Sequence, residues 1–578
     1  MGRKKSGNGD DRIFHAFKAS TDSEKQDLVN RIADQMKSQC IGVTCRSSAE
    51  LLTQRLNRFE RSLYIPEATE HDVRKLILKL NDRKASGCDK IKPLDLKDVV
   101  NTIWEPIKNI INLSISRGSV PFQLKRSIVR PIHKGGTMSN VANYRPISLL
   151  PNIAKIIERY LEERIMKFLE KYNLIDPNQF GYQKKKGTIP LLERVIDKIN
   201  TGLDRGLHFL CLFVDFSKAF DSINHSKLIE QLDTVGIRRQ IREWMISYLS
   251  DRTYTVRVGD YESDQHILER GVPQGSILGS LLYILYVNDV GRCFTQCEYF
   301  MYADDTAIVC RHKNLEDAIE IMKREFYVFQ QWAHDKQLNI NVSKTKIMHI
   351  RTPKYATSDA IRMVVHDTNC LHDQISNCQC TDHIELVTNY NYLGIVFDEH
   401  MLWTAHVEKL KRQLRCLAFS FYHLRYYVPF SALHTIYRAL VESILCYGIT
   451  IYGQSSRYIL HSLQRLQSAI VRHMQYSATR EGAEVGHIMN INQLYVMRKI
   501  LNNFKDIGEW ERVDHSHATR ANERGVFKVA RYNNKYGQRR NEVSLRQIFN
   551  KVHPIILTST RTKTFKENVR EWVLANID

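Results

Sequence analysis

The chain has 578 residues, several times the ~100–150 of a typical domain, so it is expected to bury a large core of more than one lobe and is not one small module. Hydrophobic residues make up 43% and charged residues 25%, an ordinary globular balance that excludes a wholly disordered chain. Lysine and arginine outnumber the acids 84 to 63, and the resulting formal charge of +21 favours a polyanionic partner, either nucleic acid or an anionic membrane.

In chain order, the opening Met1-Gly2-Arg3-Lys4-Lys5-Ser6 lacks the apolar core of a signal peptide. It matches a short acylation pattern, which a start residue before a basic tail explains equally well. Twelve cysteines scattered along so long a chain point to a reducing intracellular compartment without disulfides. Residues 1–65 are polar and weakly helical, with an amphipathic stretch over Ala49–Phe59, and read as an extension without a core of its own. Ile153, Ile156, Ile157, Leu161, Ile165, Phe168 and Leu169 then mark one face of a helix opened by Pro151. His208–Val214 reads as a strand, and Tyr299–Tyr302 with Thr306–Val309 reads as a hairpin whose turn is Ala303-Asp304-Asp305. A helix follows near Leu315–Trp332, then a polar Cys/His-containing insertion at about 351–385, and helical patterning returns from 401 to 475. The longest apolar runs, Leu281–Val287 and Ile444–Tyr452, fall short of the ~18–20 residues of a spanning helix, so no membrane partner is expected.

The candidate chemistry begins at Leu210-Cys211-Leu212-Phe213-Val214-Asp215, an apolar strand ending in a carboxylate, because an acid at such an edge needs a charged partner or a metal. The hairpin presents two more acids. If the strands are neighbours, Asp215 and Asp304 converge, and converging carboxylates repel unless divalent cations lie between them. Magnesium suits hard oxygen ligands and a phosphate substrate. Read alone, an Asp-Asp turn is only a polar hairpin loop, and Pro273-Gln274-Gly275-Ser276 only a surface turn.

Neither stands alone. Phe213-Val214-Asp215-Phe216-Ser217-Lys218-Ala219-Phe220-Asp221, Gly271-Val272-Pro273-Gln274-Gly275-Ser276 and Phe300-Met301-Tyr302-Ala303-Asp304-Asp305 occur in the order and spacing of polymerase palm motifs A, B and C. Upstream lie Lys84-Ala85-Ser86-Gly87-Cys88-Asp89, Pro131-Ile132-His133-Lys134 and Asn143-Tyr144-Arg145-Pro146-Ile147-Ser148-Leu149-Leu150; downstream lie Asn341-Val342-Ser343-Lys344-Thr345-Lys346 and Tyr392-Leu393-Gly394-Ile395. Together these resemble the reverse transcriptase family, on its non-LTR retrotransposon branch near jockey- and RTE-type elements.

The resemblance implies an α+β right hand of fingers, palm and thumb, with an antiparallel palm sheet and a helical C-terminal region. Fingers and palm would take residues 66–400, with the core motifs at about 113–395. A thumb and connection would take 401–500, and a basic C-terminal region 501–578, where fifteen Lys/Arg face nine Asp/Glu. The implied activity is RNA-directed DNA synthesis, extending a primer 3′-hydroxyl with dNTPs by two-metal phosphoryl transfer. Target-primed reverse transcription would be its setting, in a ribonucleoprotein of nucleus and cytoplasm. Asp215, Asp304 and the Phe216 carbonyl would hold two magnesium ions, or manganese in their place, and Asp305 would support the second acid or the primer end. Phe220 would exclude the 2′-hydroxyl of a ribonucleotide. Gln274, Gly275 and Ser276 would approach the template and incoming nucleotide, and Lys134, Arg145 and Lys344 would face the triphosphate. Viral RNA polymerases resemble this palm but typically carry a second acid in motif A that accepts the 2′-hydroxyl, and a Gly-Asp-Asp hairpin.

The family usually places an endonuclease before the polymerase, and about 65 residues cannot house a domain of typical ~100–150-residue size, so truncation or nicks made by another protein are expected. The rival reading is a host-retained RNA- and DNA-binding scaffold that no longer polymerises. Cys370, His372, Cys378, Cys380 and His383 invite a zinc assignment, but Cys-x7-Cys-x-Cys lacks the paired Cys-x2–4-Cys spacing of known fingers. An exposed polar loop with reduced thiols is the plainer expectation.

Overall fold

The computed structural model describes residues 9–38, 58–366, 370–371, 380–503, 527–552 and 562–577. The Met1–Ser6 opening, all but the last two residues of Ala49–Phe59, and His372 and Cys378 lie outside them.

Two sheets organise these residues. Strands β1 (Arg126–His133), β2 (Tyr144–Leu149), β4 (Thr253–Val258), β5 (Tyr261–Glu262) and β6 (His266–Ile267) form the first, in the order β2-β1-β4-β5 with β6 also on β4. The second runs β10-β11-β9-β3-β8-β7, from β3 (His208–Val214), β7 (Glu298–Tyr302), β8 (Asp305–His312), β9 (Lys346–Ile350), β10 (Met363–Val364) and β11 (His383–Leu386). A separate hairpin joins β12 (Asn389–Tyr392) to β13 (Ile395–Asp398).

Strand β3 explains the layering. Every residue of His-Phe-Leu-Cys-Leu-Phe-Val is buried, and side chains alternate between faces, so both faces must be covered. Leu210, Leu212 and Val214 enter one core with the helices Asn152–Lys171, His225–Thr234, Ile277–Tyr286 and Leu315–Asp335. Phe209, Cys211 and Phe213 enter another, with Thr188–Asp204 and the later helices Thr404–Leu424, Arg457–Glu481 and Ile491–Asn503. The helix expected after Pro151 runs Asn152–Lys171 and buries Ile156, Ile157, Leu161, Ile165 and Leu169. That expected near Leu315–Trp332 runs Leu315–Asp335.

Three segments do more than their polar composition suggests. Helices Gly9–Ala16 and Asp22–Ser38 lay Ile13, Phe14, Leu28, Val29 and Ile32 against Val129, Tyr254, Val256 and Val258, covering the outer face of the first sheet. The stretch expected as an insertion supplies β10 and β11, and β11 pairs in parallel with β9 at the edge of the second sheet. In the basic C-terminal region, Tyr536, Leu545, Phe549, Val569 and Val573 are buried in the second core. Asn533 and Asn534 donate their backbone N–H groups to the Asp204 carboxylate at 2.8 and 2.9 Å. Among the described residues no helix is long and apolar enough to cross a membrane.

Candidate active site

Asp215 follows the last residue of β3, at the middle of the second sheet. Strand β8 pairs antiparallel with β3, Val214 opposite Thr306, and with β7, Tyr302 opposite Asp305. The β7–β8 turn is therefore Ala303-Asp304, with Ala303 in the left-handed region at φ 57°. This register sets Asp304 and Asp305 beside Asp215, and the three charges act on one another: burial first and Asp215 next push the Asp304 carboxyl above the ordinary carboxylate range. Partial desolvation, then Asp304 and Asp215, push Asp305 up to about 6, although its side chain keeps access to solvent.

The loop after the Leu315–Asp335 helix fixes Asp215 from the other side. Asn341 N–H donates to the Asp215 carbonyl at 2.8 Å, Ser217 N–H donates to the Asn339 carbonyl at 2.8 Å, and Thr345 Oγ1 accepts from Asp215 N–H at 3.2 Å. Phe216 faces Ile340 between these bonds, which leaves its own carbonyl outside the pairing. Lys344 Nζ lies 3.6 Å from Asp215 Oδ2. Although Lys134 is exposed, partial desolvation first and then Arg145 hold its ammonium below the ordinary lysine range, and it also feels Asp221, Lys344 and Asp215. Lys134 and Arg145 sit at the loop end of the β1–β2 hairpin, where Ile132 is opposite Arg145.

Of the other expected residues, Phe220 stacks on Tyr283 with centroids 4.5 Å apart and meets Tyr182 edge-on at 6.5 Å. Gln274 donates its side-chain amide to both Asp221 oxygens at 2.7 and 2.9 Å, and its carbonyl accepts from Ser148 N–H at 2.7 Å. Gly275 has φ +121°, and a Cβ there would come within 2.7 Å of the Ser148 carbonyl oxygen. Ser276 Oγ accepts from Gly279 N–H at 2.9 Å and caps the Ile277–Tyr286 helix. The three acids, the Phe216 carbonyl and the three cations thus occupy one neighbourhood. Its all-oxygen, mutually repelling donor set fits hard divalent cations.

Residues 132–397 match the family described as reverse transcriptase (RNA-dependent DNA polymerase). Residues 132–397 are a reverse transcriptase domain. The chain is 28% identical over 421 residues to the probable RNA-directed DNA polymerase from transposon X-element of Drosophila melanogaster, covering 69% of this chain and 43% of that one. It is 27% identical over 452 residues to the RNA-directed DNA polymerase from mobile element jockey of the same species, covering 76% and 47%. The jockey protein of Drosophila funebris is 25% identical over 438 residues, covering 73% and 46%. The chain thus spans under half the length of these relatives.

The reverse transcriptase domain also uses residues to which the sequence reading gave no role. Gln179, fully buried, accepts at Oε1 from Ala303 N–H at 3.0 Å and from Gly181 N–H at 2.8 Å, bracing the carboxylate turn. A Cβ at Gly181 would lie 2.5 Å from Ala303 N, so the Gln179-Phe180-Gly181 run was the available signal. Buried Glu158 accepts from Ile277 N–H at 2.6 Å, at the N-terminus of the helix after Ser276. Only its distance in sequence from motif B hid it.

The carboxylates give the domain a pH signature. In the folded chain Asp305 titrates at about 6 against an ordinary 3.8, so its ionisation opposes folding, and metal-free stability falls as pH rises through that window. Above it, a divalent cation held there would stabilise the ionised cluster; below it, protons would compete. Magnesium is therefore expected to raise the melting temperature by a few degrees at about pH 7.5 and by much less at about pH 5. A shift of equal size at both values would contradict the cluster.

Proposed function

We propose that the chain is the RNA-directed DNA polymerase of a non-LTR retrotransposon, and the observation that carries this is the convergence of Asp215, Asp304 and Asp305 across the β3–β8–β7 register. The second sheet with its helices acts as palm, the first sheet with its covering helices as fingers, and the helices from 404 onward as thumb and connection. Asp215, Asp304 and the Phe216 carbonyl hold two magnesium ions, or manganese, which when bound make the primer 3′-hydroxyl a better nucleophile and neutralise charge developing on the transferred phosphoryl group. The 3′-oxygen bonds to the α-phosphorus of the dNTP as the bond to pyrophosphate breaks. Asp305 supports Asp304, while Lys134, Arg145 and Lys344 receive the triphosphate.

Gln274 is oriented by Asp221 and by Ser148 N–H, and Gly275 keeps the backbone beside it free of a side chain. Ser276 holds that turn to its helix. The partners are an RNA template, a DNA primer or nicked target, and dNTPs, in a ribonucleoprotein of nucleus and cytoplasm, with the nick made by an endonuclease elsewhere in the protein or by another protein. Primer extension on an RNA template with dNTPs and magnesium tests the proposal: incorporation is expected, and tight binding without incorporation would favour the non-polymerising scaffold.

Sugar choice gives a second test. With Phe220 gripped between Tyr283 and Tyr182, its ring is rigid enough to exclude a 2′-hydroxyl by overlap. Phe220→Val is expected to shift the rNTP-to-dNTP ratio of kcat/KM towards rNTP by about 10- to 200-fold. A lower melting temperature with unchanged sugar preference would make Phe220 a packing residue only.

A further inference from the structure

The segment after β9 returns along the Leu315–Asp335 helix and is tied to it by polar bonds. Gln330 Oε1 accepts from His366 N–H at 2.7 Å, Gln330 Nε2 donates to the Val364 carbonyl at 3.1 Å, and Gln331 Nε2 donates to the Leu371 carbonyl at 3.2 Å. The Tyr327 ring meets the His366 imidazole edge-on at 5.3 Å, and its hydroxyl donates to the Cys370 carbonyl at 3.4 Å. This helix face gathers three side chains that the sequence spreads over fifteen positions: His366, Cys370 and Cys380. One ligand atom from each lies within 4.8 Å of the other two, and His366 Nδ1 is 3.3 Å from Cys370 Sγ. Cys370 is buried, and His366 and Cys380 are half-buried.

We propose that His366, Cys370 and Cys380 form a zinc site that fastens strands β10 and β11 to the Leu315–Asp335 helix. In a tetrahedral site with Zn–S of ~2.3 Å and Zn–N of ~2.0–2.1 Å, donor atoms stand ~3.6–3.8 Å apart, so the observed cluster closes on an ion with about an ångström of movement. Two thiolates and an imidazole select zinc, whereas the all-oxygen set at Asp215 and Asp304 suits magnesium, so one chain holds both ions without exchange between sites. A fourth tetrahedral position remains for a further donor. The Cys-x7-Cys-x-Cys spacing hid the cluster because one of its donors, His366, lies four residues before the first of those cysteines.

The test uses the full chain, purified in reductant with magnesium present, and counts bound metal by mass spectrometry. One zinc per chain is expected. It should be lost from Cys370→Ser, Cys380→Ser and His366→Ala and retained by Asp304→Ala and by Cys416→Ser, whose thiol is exposed on another helix. Because a variant that loses the ion could also lose its fold, the wild-type chain reconstituted with cobalt supplies a second reading: thiolate-to-cobalt charge-transfer absorption supports the site. A chain that carries no zinc and gives no such absorption overturns it, as does zinc retained in all three ligand variants. Thiols at 370 and 380 found joined as a disulfide under reductant would overturn it too.

Discussion

Asp304→Ala is expected to abolish primer extension on an RNA template, lowering kcat by about three orders of magnitude or more, because in the proposed two-metal site both ions would act on the same transition state and share this ligand. Removing one of three mutually repelling carboxylates relieves strain in the metal-free fold, since Asp304 is itself held above the ordinary carboxylate range by burial and Asp215. Activity and stability should therefore part company, with the variant losing catalysis while melting no lower than the wild type in the absence of divalent ions. Template binding should not be weakened, because it rests on cations and Asp304 supplies none. Measuring single-turnover extension, melting temperature and template affinity on one preparation separates these effects. Extension at the wild-type rate would remove Asp304 from the site.

The second large effect is on affinity. If, as proposed, a chain with a formal charge of +21 grips a primer–template duplex through its phosphates, it releases condensed counterions on binding. The described surface offers contacts of both kinds that such binding uses. Lys134, Arg145 and Lys344 are exposed around the carboxylates. Arg425 lies 4.3, 4.7 and 4.9 Å from the rings of Tyr422, Tyr426 and Tyr476, between the Thr404–Leu424 and Arg457–Glu481 helices. With about 6–10 phosphate contacts, affinity should fall by about 10³- to 10⁵-fold between 50 and 200 mM salt, log-linearly in salt concentration. Fluorescence anisotropy across that range measures the slope, and a flat response would remove nucleic acid as the main partner.

The centre of the site was the most legible part of the sequence, for a physical reason. Strand β3 must be apolar on both faces, and that unbroken run makes the carboxylate after it conspicuous. The hairpin around Ala303-Asp304 announced itself by alternation and a short polar turn, and the helix after Pro151 by its i, i+3, i+4 spacing. The supports were harder to read because each is a single polar atom acting across a long gap in sequence. Thr345 Oγ1 reaches Asp215 N–H over 130 residues, Gln179 reaches Ala303 over 124, and Glu158 reaches Ile277 over 119. No periodicity marks such partners; a buried amide or carboxylate is visible only once the fold is known. The N-terminal helices misled through composition: the Asp22–Ser38 helix is mostly polar, yet the few apolar residues of its narrow stripe suffice to cover a sheet.

The bond between Asp204 and residues 533–534 bears on how the chain reaches its native state. It spans 329 positions, and Tyr536, Leu545 and Phe549, beyond it, share a core with Phe209, Cys211 and Phe213 of β3. During synthesis the central strand is made long before some of the residues that complete the core on its second side. That core stays incomplete until residues 533–549 join it, and loop closure over such a distance slows the step. The core behind the strand that precedes Asp215 thus draws on residues made more than three hundred positions later, which makes the order of assembly, as much as the order of residues, a condition for a complete centre.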